Sequence, residues 1–260
     1  MTDKEKLISH ILDLKEKSAT ESIITSSSFL SVDELSDVIK EEKVNNRYVD
    51  TFYYGGYEDA ERKTAVFVPV FYGVNEDEIE SFLNENGCNP VSLLLVKKDK
   101  FTSLTHRDYL GALIGLGLKR EVIGDIVVSD NGCSIFCLKS VASFIAENLR
   151  RAGRGSLTVT VADKSKMSIS TAATETVFVS VASMRLDCLV AAVFRLSRPA
   201  AAEAIKQGLV YVNSAQLLKC DLNLKKGDKL VLRGKGKALI GETQGHSKKG
   251  RIHLNIKRYL

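Results

Sequence analysis

The sequence lacks any paired cysteine framework: Cys88, Cys133, Cys137, Cys188 and Cys220 are odd in number and scattered. That excludes a disulfide scaffold and points to a reducing, cytoplasmic compartment. Histidines are equally sparse, and His10, His106, His246 and His253 do not fall at ligand spacing with one another or with the cysteines. Neither a metal nor any other cofactor is therefore expected. Cys133 and Cys137 form the one close pair, but the strand-like alternation around them places both on one face as small buried side chains. No apolar run approaches the roughly 20 residues that span a bilayer. The first residues open an amphipathic pattern rather than a secretory signal, so no membrane association is expected. The glycines match neither the phosphate-loop nor the dinucleotide spacing. His106-Arg107-Asp108 has the look of a kinase catalytic loop, yet Leu113 stands where the required asparagine should be and no glycine-rich loop precedes it.

What the chain does have is charge of two signs in two places. Its 260 residues carry a formal net charge of +5, with 44% hydrophobic and 27% charged residues, an ordinary globular composition for one to three domains. Residues 184 to 260 hold 16 Lys and Arg against 5 Asp and Glu, a net of +11, which leaves −6 on the remainder. Clustered cations bind polyanions by releasing condensed counterions, so a concentrated basic segment points to nucleic acid. The acidic remainder discourages indiscriminate binding. On charge alone, a solvated lysine-rich face is the competing reading.

The hydrophobic patterning predicts an α+β protein. Leu7, Ile8, Ile11, Leu12 and Leu14 recur at helical spacing, and Ser31 caps a second helix running through Val38 and Ile39. Phe52-Tyr53-Tyr54-Gly55-Gly56-Tyr57 joins aromatics to two glycines; as apolar mass they suit a core beneath a loop, the alternative being a base-stacking surface. A strand at 64 to 72, a helix at 76 to 86 and a strand at 91 to 96 follow. Next come a helix at 107 to 119, strands at 122 to 129 and 133 to 139, a helix at 141 to 151 and a strand at 157 to 162. Asp108 suits the start of the 107 to 119 helix, and Gly111, Gly115 and Gly117 are expected to let it pack closely. The Asn131-Gly132 step signals a hairpin because both residues tolerate positive φ.

Counted from Val91 the order is β-α-β-β-α-β, the split βαβ or ferredoxin-like arrangement that many RNA-recognition (RRM) domains share. Its third strand offers Phe136 alone where the RNA-recognition signature asks for two or three aromatics, which argues against base stacking on that sheet. A polar linker at 162 to 166 and a strand at 176 to 181 follow. The expected domains are a small N-terminal α/β lobe at 1 to 75, a central RRM-like ferredoxin-type domain at 76 to 181, and the basic domain at 182 to 260.

In the basic domain Leu186, Leu189, Val190 and Val193 form one helical stripe with Arg185 and Asp187 at its flanks. Ser197 caps a second helix, Pro199 is tolerated in its first turn, and Gly208 closes it in a left-handed conformation. The two helices share a small core, which leaves Arg195, Arg198 and Lys206 on the rim. Beyond Gly208 the period is two: a strand at 209 to 212, the turn Asn213-Ser214, Leu217-Leu218, the turn Lys225-Lys226-Gly227-Asp228 and a strand at 229 to 233. Gly234-Lys235-Gly236-Lys237 then combines close backbone approach with cations for phosphate. The candidate RNA-binding residues are Arg185, Arg195, Ser197, Arg198, Lys206, Gln207, Asn213, Arg233, Lys235 and Lys237. His106, Arg107, Lys119 and Arg120 make a candidate second contact surface.

Arg185-Leu186-Asp187, Ser197-Arg198, Ala201, Ile205, Gly208, Val212-Asn213 and Gly227-Asp228 fall at a spacing that resembles the αL RNA-binding domain named after small-subunit ribosomal protein S-four. That resemblance implies that Arg185, Ser197, Arg198 and Lys206 face structured RNA. Ser214 departs from it, standing where a glycine often follows the asparagine, so the first hairpin turn is expected to differ. The runs from Tyr54 to Arg62 and from Leu104 to Arg120, followed by Gly124-Asp125-Ile126, resemble the YlmH-type bacterial proteins. With the basic domain, this second resemblance extends over nearly the whole chain. It implies binding to large-subunit ribosomal RNA and peptidyl-tRNA, in rescue or quality control of obstructed subunits, by a protein monomeric off the ribosome.

Arg185-Leu186-Asp187 is also similar to the catalytic arginine-leucine-aspartate of pseudouridine synthases. Those enzymes need a large domain around the aspartate, whereas about 70 residues follow it here and the αL fold uses them. Asp187 is better read as an orienting partner for a rim arginine. The expectation is a non-enzymatic RNA-binding adaptor; an RNA-modifying enzyme and an accessory factor for ribosome assembly are the alternatives.

Overall fold

The computed structural model describes residues 2 to 41, 48 to 162, 174 to 247 and 250 to 259. Apart from Ala162, the linker expected at 162 to 166 lies outside them. The described residues are mixed α and β and divide into two units, Met1–Ile169 and Ser170–Leu260. No helix among them is long and apolar enough to cross a membrane.

The first unit begins with α1 (Asp3–Glu21), whose Thr2 and Glu5 form a reciprocal capping box. β1 (Thr25–Ser26) and α2 (Val32–Glu41) follow. Ser31 caps α2 as its sequence predicts: its hydroxyl accepts from the Glu34 amide at 3.3 Å while the Glu34 carboxylate accepts from the Ser31 amide at 2.7 Å. β2 (Val49–Tyr54) and β3 (Thr64–Pro69) complete a three-stranded sheet ordered β1-β3-β2. The chain then runs through α3 (Ile79–Glu85), β4 (Val91–Lys98), α4 (His106–Gly115), β5 (Ile123–Ser129), β6 (Gly132–Leu138), α5 (Lys139–Asn148), β7 (Arg151–Ala152) and β8 (Gly155–Ala162). The resulting antiparallel sheet is ordered β5-β6-β4-β8-β7. β6 lies between β4 and β5, the split arrangement expected from the element order.

Other elements pack on both faces of this sheet, leaving Ser156, Thr158 and Thr160 of β8 exposed. On one side Leu94, Val96, Ile126, Ile135 and Cys137 pack with Tyr109 and Leu113 of α4 and Ile145 of α5. On the other, Val91, Leu93 and the wholly buried Phe136 pack with Phe29, Phe52, Tyr54 and Val66 from the N-terminal segment. β4 can serve both sides because its Val-Ser-Leu-Leu-Leu-Val run is apolar on each.

The Tyr54 to Arg62 segment is the clasp that joins the two sheets. Tyr57 stacks on Phe136 with ring centroids 4.7 Å apart, and its hydroxyl donates to Asp125 at 2.8 Å. Burial, reinforced by the neighbouring Asp125 carboxylate, pushes the Tyr57 phenol well above its ordinary value, so it remains a donor. Asp125 also accepts from the amides of Glu61 (2.7 Å) and Arg62 (3.1 Å). The Arg62 guanidinium donates to the carbonyls of Ile123, Phe29 and Arg120. Gly56 has φ +99°, and a Cβ there would lie 2.5 Å from the Phe136 ring. The aromatic segment is thus core, with its glycine admitting the ring beneath it.

Three local expectations are corrected. The hairpin between β5 and β6 pairs Ser129 with Gly132, so Asp130 and Asn131 are its central residues and neither has positive φ. α4 stops at Gly115, and Gly111, Gly115 and Gly117 have open space where a Cβ would sit, so none of them mediates close packing. The strand expected to end the central domain, at 176 to 181, pairs instead in the sheet of the second unit.

That second unit contains β9 (Thr174–Val181), α6 (Leu186–Val193), α7 (Arg198–Lys206), β10 (Val210–Val212), β11 (Ala215–Gln216), β12 (Lys229–Leu232), β13 (Gly236–His246) and β14 (Ile252–Tyr259). Its six-stranded antiparallel sheet is ordered β11-β10-β12-β13-β14-β9. Leu186, Leu189, Val190 and Val193 of α6 and Ala201 and Ile205 of α7 form its core with Leu230, Leu232, Ile240, Leu254 and Ile256. The long pair β13 and β14 was not anticipated: register shifts between Ile240 and Gly245 interrupt the two-residue period in β13, although Ile252, Leu254 and Ile256 alternate regularly in β14.

The Asn213-Ser214 turn does not differ as expected. Both residues are left-handed, with φ of 50° and 68°, as a two-residue hairpin requires. Serine is held there by its neighbour: the Asn213 amide donates to Asp228 at 2.9 Å, and its carbonyl oxygen accepts from the Lys229 amide at 2.9 Å. Asp228, nearly fully buried, accepts also from the Lys225 amide at 2.7 Å, so the two turns lock each other.

Candidate RNA-binding surface

The first turn of α6 carries Asp187, where a carboxylate complements the helix dipole. Its Oδ1 accepts from the Cys188 amide at 3.0 Å and from Arg185 Nε at 3.1 Å, and its Oδ2 accepts from an Arg198 guanidinium nitrogen at 2.6 Å. Asp187 is only 7% exposed, whereas the Arg185 and Arg198 side chains are 42% and 56% exposed. One buried carboxylate therefore holds two guanidiniums, one from the residue preceding α6 and one from the start of α7, in a fixed outward-facing orientation. Burial alone would raise the Asp187 carboxyl, but the hydrogen bonds from Arg185 and Arg198 outweigh it and hold the group down at about 2. The same bonds raise both arginines. With three donors on it, the carboxylate orients both guanidiniums.

Arg195 adopts φ +54° at the turn between the helices and is exposed, while the Leu196 amide closes that turn on the Ala191 carbonyl at 2.9 Å. Ser197 is the cap of α7, its hydroxyl accepting from the Ala200 amide at 3.3 Å. Pro199 sits in the first turn, and Gly208 has φ +72° beyond the last. Lys206 is exposed in the last turn, where a cation complements the carbonyl end. Arg185, Arg195, Arg198 and Lys206 thus lie on or beside one helical pair.

The remaining candidates divide by what they touch. Gln207 donates to Glu203 on its own helix at 2.9 Å, and Asn213 is engaged in the turn lock. Arg233 lies 5.4 Å over the Tyr211 ring and Lys237 5.0 Å over the Tyr259 ring, while Lys235 is exposed in the turn between β12 and β13. The second candidate surface is split along α4. His106 and Arg107 are exposed at its start, beside a Thr105–Asp108 capping box. Arg120, beyond its other end, donates to the carbonyls of Ile123 (2.5 Å) and Gly124 (3.1 Å), and Lys119 pairs with Glu121 at 3.7 Å.

The Cys133 and Cys137 thiols are buried and pushed up to about 12, far from thiolate chemistry. Among the described residues no group of three His, Cys, Asp or Glu side chains is arranged to hold a metal ion. The sequence places Asp228 in a turn and in the αL spacing but does not show its role, which is to lock that turn to Asn213.

Residues 91–166, which contain β4 to β8, match the family profile described as "Putative RNA-binding domain in YlmH". The chain is 33% identical over 205 residues to the ribosome-associated protein quality control protein P2 of Bacillus subtilis (strain 168), covering 78% of this chain and 76% of that one. Among solved structures, the cell division protein ylmH from Streptococcus pneumoniae is similar in fold, with a TM-score of 0.50 and 12% identity over 64% of this chain and 94% of that one.

Proposed function

The chain belongs to the YlmH family of RNA-binding proteins, and from that premise we propose that it binds structured ribosomal RNA and peptidyl-tRNA on the large ribosomal subunit. Its role on this reading is rescue or quality control of obstructed subunits in the cytoplasm, as a non-enzymatic adaptor that is monomeric off the ribosome. Residues 182 to 260 act as its αL, S-four-like contact module. The observation that carries the proposal is the pair of guanidiniums held outward by buried Asp187, with Arg195 exposed in the turn between the helices and Lys206 exposed at the far end of α7. Fixed, exposed guanidiniums suit phosphate recognition because their planar donor forks are already oriented. The quality-control role named for the Bacillus subtilis relative supports this assignment.

The test is sedimentation with purified large subunits carrying peptidyl-tRNA. Wild-type protein pellets with them, and an Arg198→Ala, Lys206→Ala double variant stays in the supernatant. A folded double variant that pellets like wild type rules out this surface. Mass spectrometry of nucleosides from a deletion strain separates the enzymatic alternative, since an adaptor leaves every modification in place.

A further inference from the structure

Within residues 91–166 one face of the β5-β6-β4-β8-β7 sheet is covered by α4 and α5 and the centre of the other by Phe29, Phe52, Tyr54 and Tyr57, while Lys97 of β4 and Ser156, Thr158 and Thr160 of β8 stay exposed. Phe136, the single aromatic that could have stacked on a base from the third strand, is wholly buried under Tyr57. The exposed strip of β4 and β8 carries no aromatic, so base stacking by this segment falls on its rim. We propose that the rim loop joining β4 to α4 is an unpaired-base site, in which Phe101 stacks on the base and Lys100, Arg107 and Arg154 neutralise the flanking phosphates. The inference rests on the RNA-binding reading above and adds a second, chemically different contact to it.

Phe101 is 99% exposed, more than any other large hydrophobic side chain among the described residues. Its loop is nevertheless built. Asp99 Oδ1 accepts from the Phe101 amide at 3.1 Å and from the Thr102 hydroxyl at 2.5 Å, and Oδ2 accepts from the Ser156 amide at 2.9 Å. The Asp99 amide in turn donates to the Ser156 carbonyl at 3.2 Å. The ring is thus displayed from backbone fixed to β8.

The turn from β7 to β8 packs on the same loop. A methyl group at Gly155 would lie 3.1 Å from both Thr102 Cγ2 and Leu104 Cδ1, and one at Gly153 would lie 3.6 Å from Asp108 Oδ1. Arg154 is therefore carried beside the Phe101 loop, and Arg107 stands in the adjoining first turn of α4; both are exposed, as is Lys100. The neighbouring acids are engaged, Asp99 by the loop and the Ser156 amide and Asp108 in the capping box with Thr105. An exposed ring in a loop that carries and adjoins exposed cations, with the neighbouring carboxylates engaged, matches the chemistry of single-stranded nucleic acid, in which bases stack and the backbone is neutralised. Duplex RNA keeps its bases stacked on one another and offers the ring nothing.

The test uses the full chain, a labelled uridine oligonucleotide of about 12 nucleotides and a paired RNA of the same length. Phe101→Ala is expected to weaken oligonucleotide binding about 5- to 150-fold, with an unchanged salt slope and unchanged binding to the duplex. Lys100→Ala with Arg154→Ala should lower the slope instead, by about 0.7 for each lost contact. The chain has no tryptophan, so Phe101→Trp places a sole reporter in the loop. It should bind like wild type, and its emission should be quenched as the oligonucleotide saturates. Wild-type affinity of Phe101→Ala for the oligonucleotide, together with loss of binding by the Arg198→Ala, Lys206→Ala variant, overturns the loop site and leaves the proposed function standing. Equal loss on oligonucleotide and duplex overturns stacking as the mode, and failure of the wild-type chain to bind either RNA overturns both proposals.

Discussion

Two glycine-to-alanine substitutions in the same unit should move stability in opposite directions. At Gly56 the backbone has φ +99°, and a Cβ would meet Phe136 ring carbons at 2.5 and 2.8 Å and Val91 Cγ1 at 3.1 Å. The left-handed conformation costs a non-glycine residue roughly 1 to 2 kcal/mol, and overpacking a filled core adds about 1 to 3 kcal/mol. Relief by movement of Phe136 is blocked, because its ring is wholly buried and stacked under Tyr57, which Asp125 pins from above. Gly56→Ala should therefore destabilise the protein by about 2 to 5 kcal/mol, a large share of the roughly 5 to 15 kcal/mol that holds a domain folded. Gly111 lies inside α4 with nothing within 4 Å of its Cβ position. Gly111→Ala should stabilise by roughly 0.5 to 1 kcal/mol through lower unfolded-state entropy and better helix propensity. Urea unfolding followed by circular dichroism measures both. With a slope of about 1 to 3 kcal/mol per molar, Gly56→Ala should lower the midpoint by roughly 1 M or more while Gly111→Ala raises it slightly. A Gly56→Ala midpoint within experimental error of wild type would refute the clasp geometry.

Other consequences are measurable in solution. Against structured RNA, Arg198→Ala with Lys206→Ala should reduce the magnitude of the slope of log affinity on log salt by about 1.4 to 1.8, two lost phosphate contacts; filter binding across salt concentrations reads this directly. The Asp187 carboxyl is held at about 2, below its ordinary value, so its contribution to stability is complete above about pH 4 and is lost as pH falls through about 2. The difference in unfolding midpoint between wild type and Asp187→Asn should accordingly be flat above pH 4 and shrink below it, and a difference that grows on acidification contradicts the anchor. Asp187→Asn should also weaken RNA binding by freeing two arginines, whereas a purely catalytic aspartate would leave affinity intact. Cys133 and Cys137, buried with thiols pushed up to about 12, should resist iodoacetamide at pH 8 and react only after denaturation; mass spectrometry of labelled peptides locates the modified sites.

Much of the framework was legible before any coordinates. The Ser31–Glu34 capping box, the β-α-β-β-α-β order from Val91, and the Ser197 cap with Gly208 beyond its helix follow from backbone rules acting within a few residues. The concentration of cations after Met184 likewise needs only counting. Charge and periodicity are local properties, so a linear reading recovers them.

What required the tertiary structure is every assignment that depends on residues far apart in the chain. Tyr57 meets Asp125 and Phe136, which turns a tyrosine and glycine motif into a clasp. Arg120 looks as available as Arg107 in the sequence, yet carbonyls engage it while Arg107 stays exposed. Arg198 reaches Asp187 from a second helix, a pairing with Arg185 around one carboxylate that only the fold brings about. Phe101, one apolar residue in a polar loop, carried no periodic signal; only the burial of Phe136 and the fixing of its loop on β8 set it apart. Local hydrogen bonding and periodicity determine which elements form. Which side chains remain available to a partner is decided by packing, because burial is a property of neighbours the sequence does not place side by side.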